Sequence, residues 1–178
     1  MSHFYILLGR YAPELGILEL NSVFSRHGCQ VSLTVVHKSI LLAIVDEEDR
    51  QKAIDACTET GSVIKVLEDF CEITTETDLE DQLATALAEH STKRFLFSIT
   101  DHRKAVGSEI DPIRIKRSLK EKEVSSRYIE TKIEGMLWIA IHLENGIDLH
   151  IISENETVKA LRATWVQPVD SWVKRDID

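Results

Sequence analysis

The order of short apolar runs and helix-spaced segments constrains this fold more than any other feature of the sequence. A β-prone run at 4–8 closes at Gly9. Pro13-Glu14 then favours a helix start, because proline fits the first helical position and an acid suits the positive end of the helix dipole. We expect this helix to reach about His27 and to stop at Gly28. Its apolar residues recur at helical intervals and predict one buried stripe, made of Leu15, Leu18, Leu20, Val23 and Phe24.

The next elements complete a six-part pattern. Two β-branched stretches at 31–36 and 40–45, joined at 37–39, predict a hairpin. The acidic segment at its end opens a second helix over 46–58, and 63–67 predicts another strand. The order β-α-β-β-α-β is that of a ferredoxin-like module, in which an antiparallel sheet carries two helices on one face.

A second αβ module follows the polar segment 74–77, so we expect domains at 1–73 and 74–165. Asp78 is a suitable cap for a helix to about Glu89 whose apolar side carries Leu79, Leu83, Ala86 and Leu87. Asp111-Pro112 predicts a helix start, since the aspartate accepts from free backbone N–H groups. That helix should continue to about Glu123. Strands are expected at 95–99, 127–129, 136–143 and 149–152, with a turn at 144–146. The fold class is therefore α+β.

Bulk properties exclude several classes of protein. The longest apolar runs, at 4–8 and 40–45, are far shorter than the roughly 20 residues that span a bilayer. The amino terminus lacks the basic and hydrophobic regions of a secretory signal, so we expect a cytoplasmic protein without a membrane partner. The three cysteines, at positions 29, 57 and 71, are odd in number and lack the spacing of zinc ligands, which favours reduced thiols.

We find no pattern for catalysis or metal binding in the chain. It has no G-x-G turn, no P-loop and no Asp-Pro-Pro-aromatic segment, and its seven histidines lack metal-site companions. The acids at 46–49 could attract a divalent cation, although acids at a helix start usually serve the helix dipole. Ser125-Ser126 has no evident base. We therefore predict no catalytic residue, no metal site and no cofactor in this chain.

The charge distribution singles out one segment. The net charge is −9, yet residues 93–132 hold 11 basic and 6 acidic side chains, whereas residues 1–92 hold 6 basic and 16 acidic ones. On the helix after Asp111, the basic residues fall within an arc of roughly 160° that leaves Ile115 and Leu119 to face the core. Such cations could bind RNA phosphates, with an aromatic ring available to stack on a base. The candidate residues are Lys93, Arg94, Arg103, Lys104, Arg114, Lys116, Arg117, Lys120, Arg127 and Tyr128. The alternative is a solvated helix face whose charge is relieved by Glu121 and Glu123.

The two ends of the chain resemble one family of enzymes. Residues 4–10, the helix start 13–15 and the Glu19-Leu20 pair resemble the amino terminus of archaeal-type tRNA guanine-10 N2-methyltransferases and their bacterial relatives. The closing segment 165–176 resembles the stretch that leads into the family's catalytic domain, and Pro168 departs from it where the family usually has aspartate. The matching positions there are Val166, Gln167, Asp170, Trp172, Arg175 and Asp176. In the middle, only 125–129 and 137–148 resemble the family.

This resemblance implies a ferredoxin-like domain at 1–73, a THUMP-like RNA-binding domain at 74–165 and a linker at 166–178. It also implies that tRNA or another structured RNA is the partner, and that a methyltransferase domain using S-adenosylmethionine would follow in cis beyond Asp178. The expected function is then to position RNA for that enzyme. A regulatory or dimerisation module is the alternative, because ferredoxin-like domains often pair through their sheets.

Overall fold

The fold is α+β, with both antiparallel and parallel strand pairing. The structure is a computed structural model. It describes residues 1–9, 13–74, 78–90, 94–101, 110–130, 137–143 and 157–164. The chain forms two compact units, one made of 1–68 with 164–178 and the other of 69–163. The functional domain limits given above, at 73 and 165, remain predictions.

The first unit has the βαββαβ order expected from the sequence. Its sheet has the strand order β2-β3-β1-β4, and every neighbouring pair whose register is defined is antiparallel. This is the ferredoxin-like arrangement. The strand expected to end near Leu67 continues to Thr74, so that its residues from Asp69 onward belong to the second unit. The elements are β1 (Ser2–Leu8), α1 (Pro13–Arg26), β2 (Ser32–His37), β3 (Ile40–Val45), α2 (Arg50–Cys57) and β4 (Val63–Thr74).

The buried stripe of α1 differs from the predicted one. Leu15 and Leu18 are each 65% exposed, so their assignment to the core was wrong. Gly16 lies on the buried side instead, where an added Cβ would come 3.0 Å from Leu8 Cδ1. A residue without a side chain lets the helix approach the sheet closely, and this fixes the rotation of α1 about its axis. The leucines at 15 and 18 then lie on the far side, because successive helical residues are about 100° apart. The other buried residues are Leu20, Val23 and Phe24.

One face of this sheet is buried under the helices, and the other face is buried in part. Phe4, Ile6 and Leu8 point toward the helices and belong to the main core of the unit. The pairing register places Tyr5 opposite Leu67, on the other face, where directly opposed residues share a side. Five residues on that face are 6% exposed or less: Tyr5, Leu7, Ile40, Lys65 and Leu67. Ile44, which the register places on the same face opposite His3, is 37% exposed, so this face is buried only in part.

The second unit combines helices with parallel and antiparallel strands. β5 is parallel to both β6 and β7, and β7 is antiparallel to β8. Leu83, Phe97, Ile115 and Ile139 belong to its core. Its elements after β4 are α3 (Leu79–His90), β5 (Arg94–Asp101), α4 (Pro112–Glu121), β6 (Ser125–Tyr128), β7 (Leu137–Leu143) and β8 (Thr157–Thr164).

Sequence reasoning identified most of these elements and missed one. It predicted both helices and strands β5 to β7 with ends displaced by a few residues, but it did not predict β8. Its pairing with β7, from Leu143 opposite Val158 to Trp138 opposite Ala163, defines that strand. The strand predicted at 149–152 and the turn at 144–146 lie outside the described residues. Among the helices that the structure describes, none has the length and apolar character needed to cross a membrane.

Candidate nucleic-acid interface

Helix α4 is the element that carries most of the described candidate cations. Its start follows the sequence prediction: the Asp111 side chain accepts a hydrogen bond from the Ile113 N–H at 2.8 Å, and Pro112 occupies the first helical turn. Its end has Glu123 in the left-handed region at φ 60°. There the Val124 N–H donates to the Leu119 carbonyl at 2.9 Å and the Glu123 N–H donates to the Lys120 carbonyl at 3.0 Å, as in a Schellman motif.

The two sides of α4 are sharply different. Ile115 and Leu119 are completely buried in the core of the second unit, as the sequence predicted. Lys116, Arg117 and Lys120 are exposed on the other side. Within the described part of the chain, none of these three side chains has an ion-pair partner. No acid among the described residues therefore competes with an anion for these charges.

An exposed apolar side chain lies within this basic face. Ile113 is 69% exposed, and on a helical projection it falls between Lys120 and Arg117. The solvent side of α4 therefore combines one exposed isoleucine with charged side chains. Nucleic acids offer apolar as well as polar surface to such a face.

Arg114 behaves differently from the other cations of α4. Its guanidinium pairs with the Asp78 carboxylate, and its Nη1 lies 3.6 Å from Oε2 of Glu80. A hydrogen bond with the Glu80 side chain, ahead of the positive charge of Arg114, lowers the pKa of Asp78. Both acids belong to the start of α3. Sequence reasoning placed Arg114 with the RNA-binding cations and missed these partners, which are more than 30 positions away.

Strand β6 adds a cation beside the helix. Arg127 is exposed and lies in register with Leu96 of the parallel strand β5. β6 follows α4 after a short turn, and its Tyr128 packs against the core that holds Ile115 and Leu119 of α4. Because successive side chains of a strand point to opposite faces, Arg127 points to the other face of the sheet. Among the ion pairs between described residues, none includes Arg127. The described candidates that form no ion pair with another described residue are therefore Lys116, Arg117, Lys120 and Arg127.

The remaining candidates are less exposed or lie beyond the description. Tyr128 is half-buried at the margin of the core, where its ring meets that of Phe97 edge to face at a centroid distance of 5.6 Å. This contact fixes one edge of the ring, and base stacking by Tyr128 remains a prediction. The backbone of Arg94 pairs with Ser125, and its side chain is not described. The other three, Lys93, Arg103 and Lys104, lie outside the described residues.

Metal ligands and reactive thiols are the other chemical features considered for the described residues. No group of three or more histidine, cysteine, aspartate or glutamate side chains there could hold a metal ion. The acids after Asp46 form a short 3₁₀ turn, Glu47–Asp49, that leads directly into α2. Burial raises the pKa of the Cys57 thiol to about 12 and that of Cys71 to about 11. Both thiols are therefore protonated at neutral pH, which makes them weak nucleophiles.

Comparisons with known proteins identify no family. No family model and no curated protein sequence matches the chain. Among solved structures, the crystal structure of PH1313 from Pyrococcus horikoshii Ot3 is similar, with a TM-score of 0.48 and 9% sequence identity. The alignment covers 93% of this chain and 55% of PH1313, so this chain spans about half the length of that protein.

Proposed function

We propose that this chain binds structured RNA through α4 and β6 and positions it for a methyltransferase domain supplied in cis. The observation that carries this proposal is the solvent face of α4, where Lys116, Arg117 and Lys120 have no acidic partner among the described residues. If α4 were only a solvated helix face, neighbouring acids would be expected to form ion pairs with these cations. Glu121 and Glu123 are exposed, and neither forms an ion pair with another described residue.

The distribution of charge supports a localised contact. A protein with a net charge of −9 repels a polyanion over most of its surface, so binding needs a restricted basic patch. The exposed side of α4 offers three cations, Lys116, Arg117 and Lys120, and Arg127 follows on β6. Phosphate oxygens accept charge-assisted hydrogen bonds from such side chains, and these contacts orient the RNA without reading its sequence. That is the role expected of a substrate-positioning region.

The finer identity of the parent enzyme rests on the sequence resemblance. The terminal motifs quoted above resemble those of tRNA guanine-N2 methyltransferases, which use S-adenosylmethionine. Under this proposal the chain supplies no group to methyl transfer. It holds the acceptor end of a tRNA, while the cofactor and the reacting guanine are bound by the catalytic domain.

The alternative, a regulatory module of ferredoxin type, has one observation in its favour. The first unit contains an open cavity of about 720 Å³, bordered by Asn21, Gln30 and Asp46 among others. This volume lies in the range of small-molecule sites. Pairing through the sheet would use the face opposite the helices, where Tyr5 and Leu67 are buried and Ile44 is 37% exposed. We favour RNA binding because of the exposed cations of α4.

A single-residue comparison tests the proposal. Fluorescence anisotropy with a labelled tRNA measures Kd for the unaltered chain, for Arg117→Ala and for Lys52→Ala. Lys52 is a matched control, because it is an exposed cation of the first unit that pairs with Asp49 at 3.7 Å. We expect Arg117→Ala to weaken binding several-fold and Lys52→Ala to leave Kd unchanged. Equal effects of the two substitutions would contradict the assignment. A dimer that melts higher with a small ligand and ignores RNA would favour the regulatory alternative.

A further inference from the structure

We propose that Arg114 is a positioning residue, which holds α4 against α3 and makes no contact with phosphate. This inference rests on the proposed function, since it divides the basic residues of α4 into those that bind RNA and one that orients them. It departs from the sequence interpretation, in which Arg114 was one of the RNA-binding cations.

The contacts between the start of α3 and α4 form a connected set. Glu80 is only 9% exposed at its side chain; its Oε2 faces Arg114, and its Oε1 accepts a hydrogen bond from the backbone N–H of Asp111 at 3.1 Å. Further along, the Ser118 hydroxyl donates to Oδ1 of Asp81 at 2.7 Å. One turn of α3 therefore holds α4 at its cap, at its first turn and at its middle.

The cost of moving Arg114 toward RNA follows from the burial of Glu80. A guanidinium that turned to a phosphate would leave this carboxylate without its cation, with the Asp111 N–H and the Asp78 side chain as its remaining described partners, in a place where water reaches little of it. An uncompensated buried charge is expensive. Arg114 therefore gains little by changing partners, whereas Arg117, one turn along the helix, has no acid to leave among the described residues.

The positioning role fixes which way the basic face points. The buried residues Ile115 and Leu119 set the general orientation of α4, but aliphatic packing tolerates small rotations and slides. The directional pairs with Asp78 and Glu80 select one rotation. In that rotation Lys116, Arg117 and Lys120 are presented to solvent together.

The test compares Arg114→Ala with Arg117→Ala, and adds Asp78→Asn. Asparagine retains the oxygen with which Asp78 accepts the Glu80 N–H at 3.2 Å, so α3 keeps its cap while the ion pair is removed. We expect Arg114→Ala to weaken tRNA binding about twofold to fivefold, the range of one exposed ion pair. Its slope of log K against log salt concentration should equal that of the unaltered chain. Arg117→Ala should reduce the magnitude of that slope by about 0.7 to 0.9.

Asp78→Asn should change the tRNA affinity in opposite directions, depending on whether Arg114 contacts phosphate or positions α4. Removing a negative charge beside a polyanion site strengthens binding if Arg114 contacts phosphate, whereas it weakens binding if the pair positions α4. We expect binding about twofold weaker. Tighter binding by Asp78→Asn, or a slope for Arg114→Ala that falls as it does for Arg117→Ala, would overturn the inference.

A measurement without RNA separates this inference from the proposed function. Thermal unfolding of the unaltered chain, Arg114→Ala, Asp78→Asn and the double variant forms a double-mutant cycle. We expect a non-additive cycle, in which the double variant melts higher than the two single shifts predict. Additive shifts would overturn the positioning role whatever the chain binds. A coupled cycle in a chain that binds no RNA would support the link between α3 and α4 and refute the proposed function.

Discussion

Replacing Glu19 by glutamine should weaken the first unit measurably, because one carboxylate connects α1 to the segment before β4. Its Oε1 accepts a hydrogen bond from the Gly61 N–H at 2.9 Å, and its Oε2 accepts from the Ser62 N–H at 3.2 Å and from the Ser62 hydroxyl. The carbonyl of Ser62 in turn accepts from the Gly9 N–H at 2.8 Å, just after β1. Glu19 therefore stabilises the meeting point of a helix, a loop and two strands.

The magnitude follows from what glutamine can and cannot replace. Its single carbonyl oxygen can satisfy one of the two backbone donors, while its NH₂ group faces a donor instead of accepting from it. Bonds to a charged acceptor contribute about 1.5–3 kcal/mol each and neutral ones about 0.5–1.5 kcal/mol. Because Glu19 remains partly exposed, we expect Glu19→Gln to lower the free energy of unfolding by about 1.5 kcal/mol. For a chain of this length that loss lowers Tm by roughly 3–6 °C.

The pH dependence gives a second signature. Burial raises the pKa of Glu19, but hydrogen bonds from the Ser62 side chain and from the Gly61 and Ser62 backbone together outweigh it, so the pKa lies below its ordinary value of 4.5. The unfolded chain binds the proton more readily than the folded one. The stabilisation is then fully present above about pH 5 and is lost as the pH falls through the folded pKa.

Urea denaturation of the unaltered chain and of Glu19→Gln at pH 7 and at pH 3.5 measures both effects. The difference between the two proteins should be largest at pH 7 and should shrink at pH 3.5. Glu14→Gln is the matched control, since Glu14 is an exposed acid at the start of the same helix and should cost less than about 0.5 kcal/mol. Equal costs for the two substitutions, or a difference that is independent of pH, would refute the reasoning.

Three further predictions concern stability and reactivity. Gly28 and Glu123 both have a positive φ, at +67° and 60°. In urea denaturation, Gly28→Ala should therefore destabilise the chain by about 1 kcal/mol, and Glu123→Gly should stabilise it by about 0.5–1 kcal/mol. Shifts of the same sign would contradict this prediction. Ile115→Ala should cost about 2–4 kcal/mol, because the side chain is fully buried in the core of the second unit, and a cost like that of a surface substitution in the same assay would refute its burial. The Cys57 thiol, with a pKa of about 12, should react with a thiol reagent at pH 8 far more slowly in the folded chain than in urea, and equal rates would exclude its burial.

Local patterns were sufficient to predict much of the fold. Glycine and proline mark the ends of α1 and the start of α4, and strand β1 is an uninterrupted apolar run, so these elements follow from local chemistry. The buried residues of α4 were also predictable, because only Ile115 and Leu119 are apolar on one side of an otherwise charged segment.

The errors occur where tertiary packing decides. Leu15 and Leu18 look like core residues in a helical pattern, but the close approach at Gly16 turns them to solvent. β8 has no strong β-forming pattern in its Lys159 to Arg162 stretch and owes its strand conformation to its partner β7.

The candidate site likewise combines features that local sequence predicts with features that depend on tertiary packing. The exposure of Lys116, Arg117 and Lys120 follows from helix geometry, which the sequence contains. The pairing of Arg114 with Asp78 and Glu80 depends on how α3 packs against α4, and no local pattern reports that. Net charge by segment therefore located a basic surface, but it did not separate cations that face solvent from one that is already paired.

The salt dependence of tRNA binding tests the central claim most directly. The four candidate cations Lys116, Arg117, Lys120 and Arg127, each releasing counterions on contact, predict a slope of log K against log salt concentration of about −3. Between 50 and 200 mM salt this corresponds to an affinity loss of roughly 60-fold. Replacing Lys116, Arg117 and Lys120 together by alanine should reduce the slope to about −1, because Arg127 remains. Binding that is independent of salt, or a slope unchanged in the triple variant, would contradict the account.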